Sequence, residues 1–142
     1  MGLGMRGNYG AAGAVPEKDI EMTEQKPFIL IVEDDRPLLK VLTRYLQAVG
    51  YMVLPAASFQ EATDKIAIKP NLVLLDINLP DGTGWDFVDW MDSFVNSVPI
   101  IVMSGITRPS MKQLERAGVK AFLAKPFPIQ ALLDLVKHYA AA

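Results

Sequence analysis

Short apolar runs alternate with stretches of helical spacing along most of this chain, starting after Pro27. Five runs stand out, and they cover residues 28–32, 51–54, 72–75, 100–103 and 121–124. Each run is short, rich in residues that favour strands, and apolar throughout instead of at every second position. Continuous runs of this kind predict strands of a parallel sheet that is covered on both faces.

Between the runs, apolar residues recur at intervals of three and four, which predicts amphipathic helices packed on the sheet. The first helical face comprises Leu38, Leu42, Tyr45, Leu46 and Val49, and the last comprises Ile129, Leu132, Leu133 and Val136. Five strands alternating with five helices predict a doubly wound α/β fold. We therefore expect a five-stranded parallel sheet of order 2-1-3-4-5 with helices on both faces, which is a flavodoxin-like arrangement.

The first 26 residues differ from the rest of the chain. They are rich in glycine, then polar, and they show neither a helical nor a strand period. We interpret residues 1–26 as a flexible N-terminal tail or linker, and residues 27–142 as one domain of ordinary size.

Composition narrows the class of function. The formal net charge is −2, without the basic excess that nucleic-acid-binding domains usually carry. The absence of cysteine excludes disulfides and thiolate chemistry. No apolar run approaches the roughly 18 residues of a membrane helix, and the N-terminus does not resemble a signal peptide. We expect a cytoplasmic protein that binds neither nucleic acid nor membrane directly.

Polar residues follow four of the five predicted strands. They are Glu33, Asp34 and Asp35 after the first strand, Asp76 after the third, Ser104 after the fourth and Lys125 after the fifth. Ligands of doubly wound folds sit beyond the carboxyl ends of the strands. With the predicted strand order, these side chains converge on one pocket.

Clustered carboxylates repel one another, and a hard divalent cation such as Mg²⁺ removes the conflict. A carboxylate beside Mg²⁺ and a lysine ammonium can attack phosphorus and form an aspartyl phosphate. The hydroxyl of Ser104 can donate to the attached phosphoryl group. The backbone carbonyl of Asn78, two residues after Asp76, is a further candidate metal ligand.

Four segments, taken in order, resemble the receiver domains of two-component response regulators, within the CheY-like superfamily. They are Ile-Leu-Ile-Val-Glu-Asp-Asp at 29–35, Asp-Ile-Asn-Leu-Pro-Asp-Gly-Thr-Gly at 76–84, Ile-Val-Met-Ser-Gly at 101–105 and Ala-Lys-Pro-Phe at 124–127. The resemblance covers residues 27–140. Each motif is weak alone, but four at four strand ends are specific.

The resemblance implies a role for each matching residue. Asp76 would accept a phosphoryl group from a phosphohistidine. Asp34 would bind Mg²⁺ directly, Glu33 would act through water, and the carbonyl of Asn78 would complete the protein ligands. Ser104 and Lys125 would contact the phosphoryl group, and the bond between Lys125 and Pro126 would be cis.

The same resemblance implies a switch and its partners. Ser104 and Phe122 would relay phosphorylation to the surface of the fourth helix, fifth strand and fifth helix. A sensor histidine kinase or a histidine phosphotransfer protein would supply the phosphoryl group, and a second copy could bind that surface. Phe122 lacks the hydroxyl of the more familiar Tyr. Pro109, in the stretch 105–118, indicates a short or shifted fourth helix.

Other functions fit less well. Hydrolases that form an aspartyl phosphate usually carry Asp-x-Asp after the first strand, whereas this chain has Glu33, Asp34 and Asp35 there. A flavin- or nucleotide-binding module needs phosphate-binding donors at that position. A receiver that only binds would typically lack Asp76 or Lys125.

Asp35 and Asp81 are expected to have structural roles, and the sequence leaves open whether the domain is part of a larger protein. Asp35 is expected to cap the first helix, with Pro37 in its first turn, and Asp81 to be a turn residue. The sequence is compatible with a stand-alone regulator, with part of a longer regulator whose output domain is absent, and with the receiver module of a hybrid histidine kinase.

Overall fold

The computed structural model describes residues 26–94, 98–105, 108–116 and 118–140. In chain order, its elements are β1 (Phe28–Val32), α1 (Arg36–Ala48), β2 (Met52–Ala56), α2 (Phe59–Lys65), a 3₁₀ turn (Ile66–Ile68), β3 (Leu72–Asp76), a hairpin of two short strands (Asn78–Leu79 and Gly82–Thr83), α3 (Gly84–Phe94), β4 (Ile100–Ser104), α4 (Met111–Leu114), β5 (Val119–Ala124) and α5 (Ile129–Tyr139). Apart from Lys26, the predicted tail of residues 1–26 lies outside the described residues.

The five main strands form one parallel sheet in the order β2-β1-β3-β4-β5. The predicted flavodoxin-like strand order is therefore confirmed. This order puts β3 in the middle of the sheet, between β1 and β4, and aligns the carboxyl ends of all five strands at one edge. Asp76 at the end of β3 is in register with Met103 near the end of β4.

Alternate residues of the central strands pack into two separate cores, one on each face of the sheet. On one face, Ile29 and Ile31 lie against Leu42 and Leu46 of α1 and against Val136 of α5. On the other face, the core includes Leu30, Val32, Val73, Leu75, Ala62 of α2 and Phe87, Val88 and Met91 of α3. Helices thus cover both faces of the sheet. The burial of apolar strand residues beneath them stabilises the sheet, including the edge at which the strands end.

The edges of the sheet depart from the sequence prediction. The second strand runs from Met52 to Ala56, later than the predicted 51–54, and it includes Pro55. An edge strand tolerates proline because one side of it has no neighbouring strand to receive an N–H group. The fifth strand begins at Val119, before the predicted start at residue 121. Of the five main strands, β1, β3 and β4 are buried along nearly their whole length. β2 and β5 are more exposed because each is an edge strand with a neighbour on one side only.

The structure also corrects the predicted buried face of the first helix. Tyr45 and Val49 were predicted on the buried face of α1, but they are 47% and 55% exposed. The buried stripe of α1 is narrower than its apolar pattern.

The predicted short fourth helix is confirmed, since α4 comprises only four residues behind a capping box formed by Ser110 and Gln113. Among the described helices, none combines the length and the apolar character needed to cross a membrane.

Candidate functional site

Three carboxylates meet at the carboxyl edge of the sheet. Glu33 and Asp34 directly follow β1, and Asp76 is the last residue of β3. One carboxylate oxygen from each of the three lies within 4.8 Å of the others. The sheet brings them together, because β1 and β3 are paired neighbours, and the amide of Glu33 also donates to the carbonyl of Ala56 on β2 at 2.9 Å.

Lys125, the residue directly after β5, reaches two of these acids, Glu33 and Asp76. Its backbone amide donates to the carbonyl of Ser104 at 2.8 Å, and its peptide bond to Pro126 is cis, as predicted. Its Nζ lies 2.5 Å from Oε1 of Glu33 and 3.4 Å from Oδ2 of Asp76. The predicted convergence of Asp76, the acidic pair and Lys125 is therefore present in the structure.

Burial and mutual repulsion perturb the ionisation of this cluster. Glu33 has no exposed surface and Asp76 is 4% exposed. Burial, a hydrogen bond with Asp76 and the charge of Asp76 raise the pKa of Glu33 to about 7, against the opposing effect of Lys125. Burial acts to lower the pKa of Lys125, but the hydrogen bond and charge of Glu33, together with Asp76, outweigh it and leave that pKa raised. The ammonium is thus charged at neutral pH.

The hairpin that follows β3 is held tightly against Asp76. The amide of Asn78 donates to Oδ1 of Asp76 at 3.1 Å, and the amide of Gly84 donates to the carbonyl of Ile77 at 2.5 Å. A Cβ atom at Gly84 would lie 2.7 Å from the carbonyl oxygen of Asp76. Only glycine fits this approach, and it allows α3 to begin directly behind the central acid.

Asp35 has the capping role that the sequence predicted. Its Oδ1 accepts a hydrogen bond from the amide of Leu38 at 3.1 Å, which makes it the N-cap of α1. Its own amide donates to Oε2 of Glu33 at 3.2 Å. The start of α1 therefore helps to orient the buried carboxylate of Glu33, whereas the side chain of Asp34 is exposed.

The two predicted switch residues lie on neighbouring strands. Ser104 is buried at the end of β4, where it pairs with Ala124 of β5. Phe122 is half-buried in β5 and packs against the core on the α3 face. The guanidinium carbon of Arg108 lies 5.8 Å from the centroid of the Phe122 ring, within the range of a cation–π contact.

Two contacts near the site were not predicted from the sequence. One is the contact of Arg108 with Phe122. The other is the carboxylate of Asp81, expected to be a simple turn residue, which accepts hydrogen bonds from the amides of Phe59 and Gln60. The Ser-x-x-Glu pattern at 58–61 marks the start of α2. It carries no information on which distant loop meets that helix.

The donor set fits a hard divalent cation. Three carboxylates are grouped here, and Lys125 contacts two of them, so negative charge is in excess among these four side chains. All the acidic ligand atoms are oxygens, which Mg²⁺ prefers, and burial together with the neighbouring Asp76 raises the pKa of Glu33. Glu33, Asp34 and Asp76 are thus suited to hold Mg²⁺.

Comparison with known proteins gives consistent matches over this part of the chain. A family model described as the response regulator receiver domain matches residues 29–137. The polar-differentiation response regulator DivK of Brucella ovis is 26% identical over 115 residues, which are 78% of this chain and 94% of DivK.

Solved structures agree with this match. A CheY-like response regulator receiver domain protein from Methanospirillum hungatei is 31% identical, with a TM-score of 0.72 over 80% of this chain and 92% of its own. The response regulator TrrA of Thermotoga maritima, solved in complex with Mg²⁺-BeF, is 25% identical, with a TM-score of 0.72 over 80% of this chain and 98% of its own.

Proposed function

Because this chain belongs to the family of response regulator receiver domains, we propose that it is a phosphorylation-driven switch of a two-component system, with Asp76 as the phosphoacceptor. The observation that carries this proposal is the convergence of Asp76, Glu33, Asp34 and Lys125 at one sheet edge. Receiver domains are signalling switches and generally not classical enzymes, and they interact with kinases and phosphotransfer proteins.

In the proposed reaction, a carboxylate oxygen of Asp76 forms a bond to the phosphorus of a phosphohistidine. The phosphorus–nitrogen bond breaks, its electron pair stays on the imidazole, and the imidazole takes up a proton. Asp76 is suited to this attack because Asn78 and Lys125 hold its two oxygens in a fixed orientation. Lys125, which is charged at neutral pH, would offset the charge of the transferred phosphoryl oxygens.

Glu33, Asp34, Asp76 and the backbone carbonyl of Asn78 are the groups that would hold Mg²⁺. The bound cation would neutralise part of the charge on the carboxylates and the phosphoryl group. Glu33 lies deepest and also binds Lys125, which suits a contact through water, whereas Asp34 is exposed and available as a direct ligand.

Phosphorylation would be relayed through Ser104 and Phe122 to the surface formed by α4, β5 and α5. Ser104 lies at the end of β4, the strand next to the one that carries Asp76, and Phe122 is only half-buried in β5. A change of this kind would bias a two-state surface toward a partner or a second copy. A sensor histidine kinase or a histidine phosphotransfer protein would be the phosphoryl donor, in the cytoplasm.

Intact mass after incubation with acetyl phosphate and Mg²⁺ tests the proposal. We expect a single phosphate adduct on the wild-type chain and none on Asp76→Asn, because the amide cannot act as the nucleophile. Asp35→Asn is the matched control. It replaces another acid near the same sheet edge, and asparagine caps a helix as well as aspartate does, so its adduct should persist.

Two results would contradict the proposal. One is the absence of any adduct on the wild-type chain under conditions that label a known receiver. The other is an adduct of equal yield on Asp76→Asn. Steady release of inorganic phosphate over many turnovers, without accumulation of the labelled protein, would favour an aspartyl-phosphate hydrolase instead.

A further inference from the structure

Asp81 ties the loop behind the phosphoacceptor to a different helix. It lies in the turn of the hairpin that pairs Asn78–Leu79 with Gly82–Thr83. Its Oδ1 accepts from the amide of Phe59 at 2.8 Å and its Oδ2 accepts from the amide of Gln60 at 3.1 Å. These amides open α2 and have no partner within the helix. Both carboxylate oxygens are thus engaged by the main chain of a distant element.

The helix also has a cap of its own, formed by local residues. The side chain of Ser58 accepts from the amide of Glu61 at 3.1 Å, and the carboxylate of Glu61 accepts from the amide of Ala57 at 3.1 Å. This local cap binds the amides of Glu61 and Ala57 and leaves those of Phe59 and Gln60 to Asp81. The contact from Asp81 is therefore an additional link between elements, and the hydrogen bond from Phe59 keeps the pKa of Asp81 below its usual value.

The hairpin has few residue pairs of its own, and the link at its turn adds to the burial of Leu79 in the core. Only two residue pairs join its strands, Asn78 with Thr83 and Leu79 with Gly82. An isolated two-stranded hairpin is marginally stable at best in water. Its first residue, Asn78, donates its amide to Oδ1 of Asp76. Whatever holds the turn of the hairpin in place therefore also steadies Asn78 against the acidic cluster.

We propose that Asp81 is a positioning residue for the acidic site: by fastening the hairpin to α2, it holds Asn78 beside Asp76. This inference rests on the proposed function, in which the carbonyl of Asn78 binds Mg²⁺. Asp81 touches neither the cation nor the phosphoryl group. Its effect reaches them only through the hairpin, over a path of three residues from Asp81 to Asn78.

The variants Asp81→Ala and Ser58→Ala separate positioning from helix capping. Both remove hydrogen bonds from the first turn of α2, and both should lower the melting temperature by a few degrees. In the metal-free protein, we expect hydrogen exchange of the Asn78 amide to become about tenfold faster in Asp81→Ala and to stay near the wild-type rate in Ser58→Ala. Asp81→Asn keeps one acceptor oxygen and should give an intermediate rate.

Mg²⁺ titration by calorimetry gives the second measurement. We expect the dissociation constant for Mg²⁺ to rise about tenfold in Asp81→Ala, as is typical when outer support of a metal ligand is lost. Ser58→Ala should bind like the wild type. Equal exchange rates and equal Mg²⁺ affinities for the two alanine variants would overturn the proposal and reduce Asp81 to a second cap.

The two hypotheses fail in distinguishable ways. If the wild-type chain bound no Mg²⁺ and gained no phosphate adduct, the proposed function would fail. The exchange rate of the Asn78 amide in metal-free protein would still report whether Asp81 steadies the hairpin. Conversely, normal phosphorylation of the wild type with unchanged exchange in Asp81→Ala would overturn only the role of Asp81.

Discussion

At the scale of single residues, Glu33 couples the acidic site to pH. It is fully buried and is hydrogen-bonded to both the ammonium of Lys125 and the carboxylate of Asp76. Its pKa is about 7 in the folded protein, whereas its ordinary value is 4.5. Near neutral pH, a proton therefore competes with any cation that would bind the cluster.

The sign of the resulting pH dependence follows from linkage. A carboxyl whose pKa is raised by folding contributes stability below its unfolded pKa of 4.5, and this contribution is lost as the pH rises through about 7. We expect the melting temperature of the metal-free protein to fall more steeply between about pH 5.5 and pH 8 than that of Glu33→Gln. Circular dichroism melts at both pH values measure the difference.

Mg²⁺ should act in the opposite direction. Because binding requires the deprotonated carboxylate, the rise in melting temperature on adding Mg²⁺ should be larger at about pH 8 than at about pH 6. In Glu33→Gln this pH dependence should be much weaker. A melting curve of Glu33→Gln with the same pH slope as the wild type would show that another group is responsible.

At the scale of elements, the start of α3 is built around one glycine. Gly84 brings the helix so close to β3 that a Cβ atom would meet the backbone of both Asp76 and Ile77 at 2.7 Å. Backbone atoms in the centre of a sheet cannot move aside as a flexible side chain can. The position of α3 relative to the phosphoacceptor therefore depends on the lack of a side chain here.

We expect Gly84→Ala to lower the free energy of unfolding by about 3 kcal/mol, the upper part of the usual range for overpacking. It should also weaken Mg²⁺ binding, since Asp76 must shift. Urea denaturation measures the first effect. Gly105→Ala is the control, because its Cβ would meet the side chain of Lys125 at 3.3 Å, and it should cost clearly less. A loss in Gly84→Ala no larger than in the control would contradict this account.

At the scale of the whole molecule, Lys125 connects the acidic site with the last strand. Its Nζ binds Glu33 and lies near Asp76, while its backbone amide is bound to Ser104. Phe122 is three residues before it on β5. A charge that arrives at Asp76 and attracts Lys125 would therefore act on the strand that carries the predicted switch residue.

We expect phosphorylation of the wild type to change backbone amide chemical shifts on α4, β5 and α5 more than on α1 and α2. In Lys125→Ala, the three carboxylates remain, so Mg²⁺ should still bind, but the shift changes on α4, β5 and α5 should be largely lost. Two-dimensional ¹⁵N spectra before and after phosphorylation measure both. Full shift changes in a phosphorylated Lys125→Ala variant would contradict the relay through this side chain.

The central strands and the site residues were predictable because local pattern and position carried the information. In a strand that is buried on both faces, the apolar run in the sequence has the same bounds as the strand itself, so β1 was predicted at its observed bounds. The acids and the lysine were predictable because the ends of parallel strands share one edge. The function of those residues stays a prediction until phosphorylation is measured.

Other features could not be predicted because they depend on neighbours that are distant in the chain. Tyr45 and Val49 continue the apolar pattern of α1, but none of the elements that the structure describes covers them, and they are exposed. Pro55 is compatible with a strand only because β2 is at the edge of the sheet. The local sequence of α1 and β2 is the same whether or not a neighbour is present.

The sequence by itself determined the alternation of strands and helices, the two-sided burial of the central strands and the set of polar residues at their ends. Only the tertiary structure decided which of these groups touch. It set the contact of Lys125 with Glu33, the raised pKa of Glu33 and the link from Asp81 to α2. The physical reason is that periodicity and turn chemistry are local, whereas charge, burial and hydrogen bonding at the site depend on distances between residues far apart in the chain.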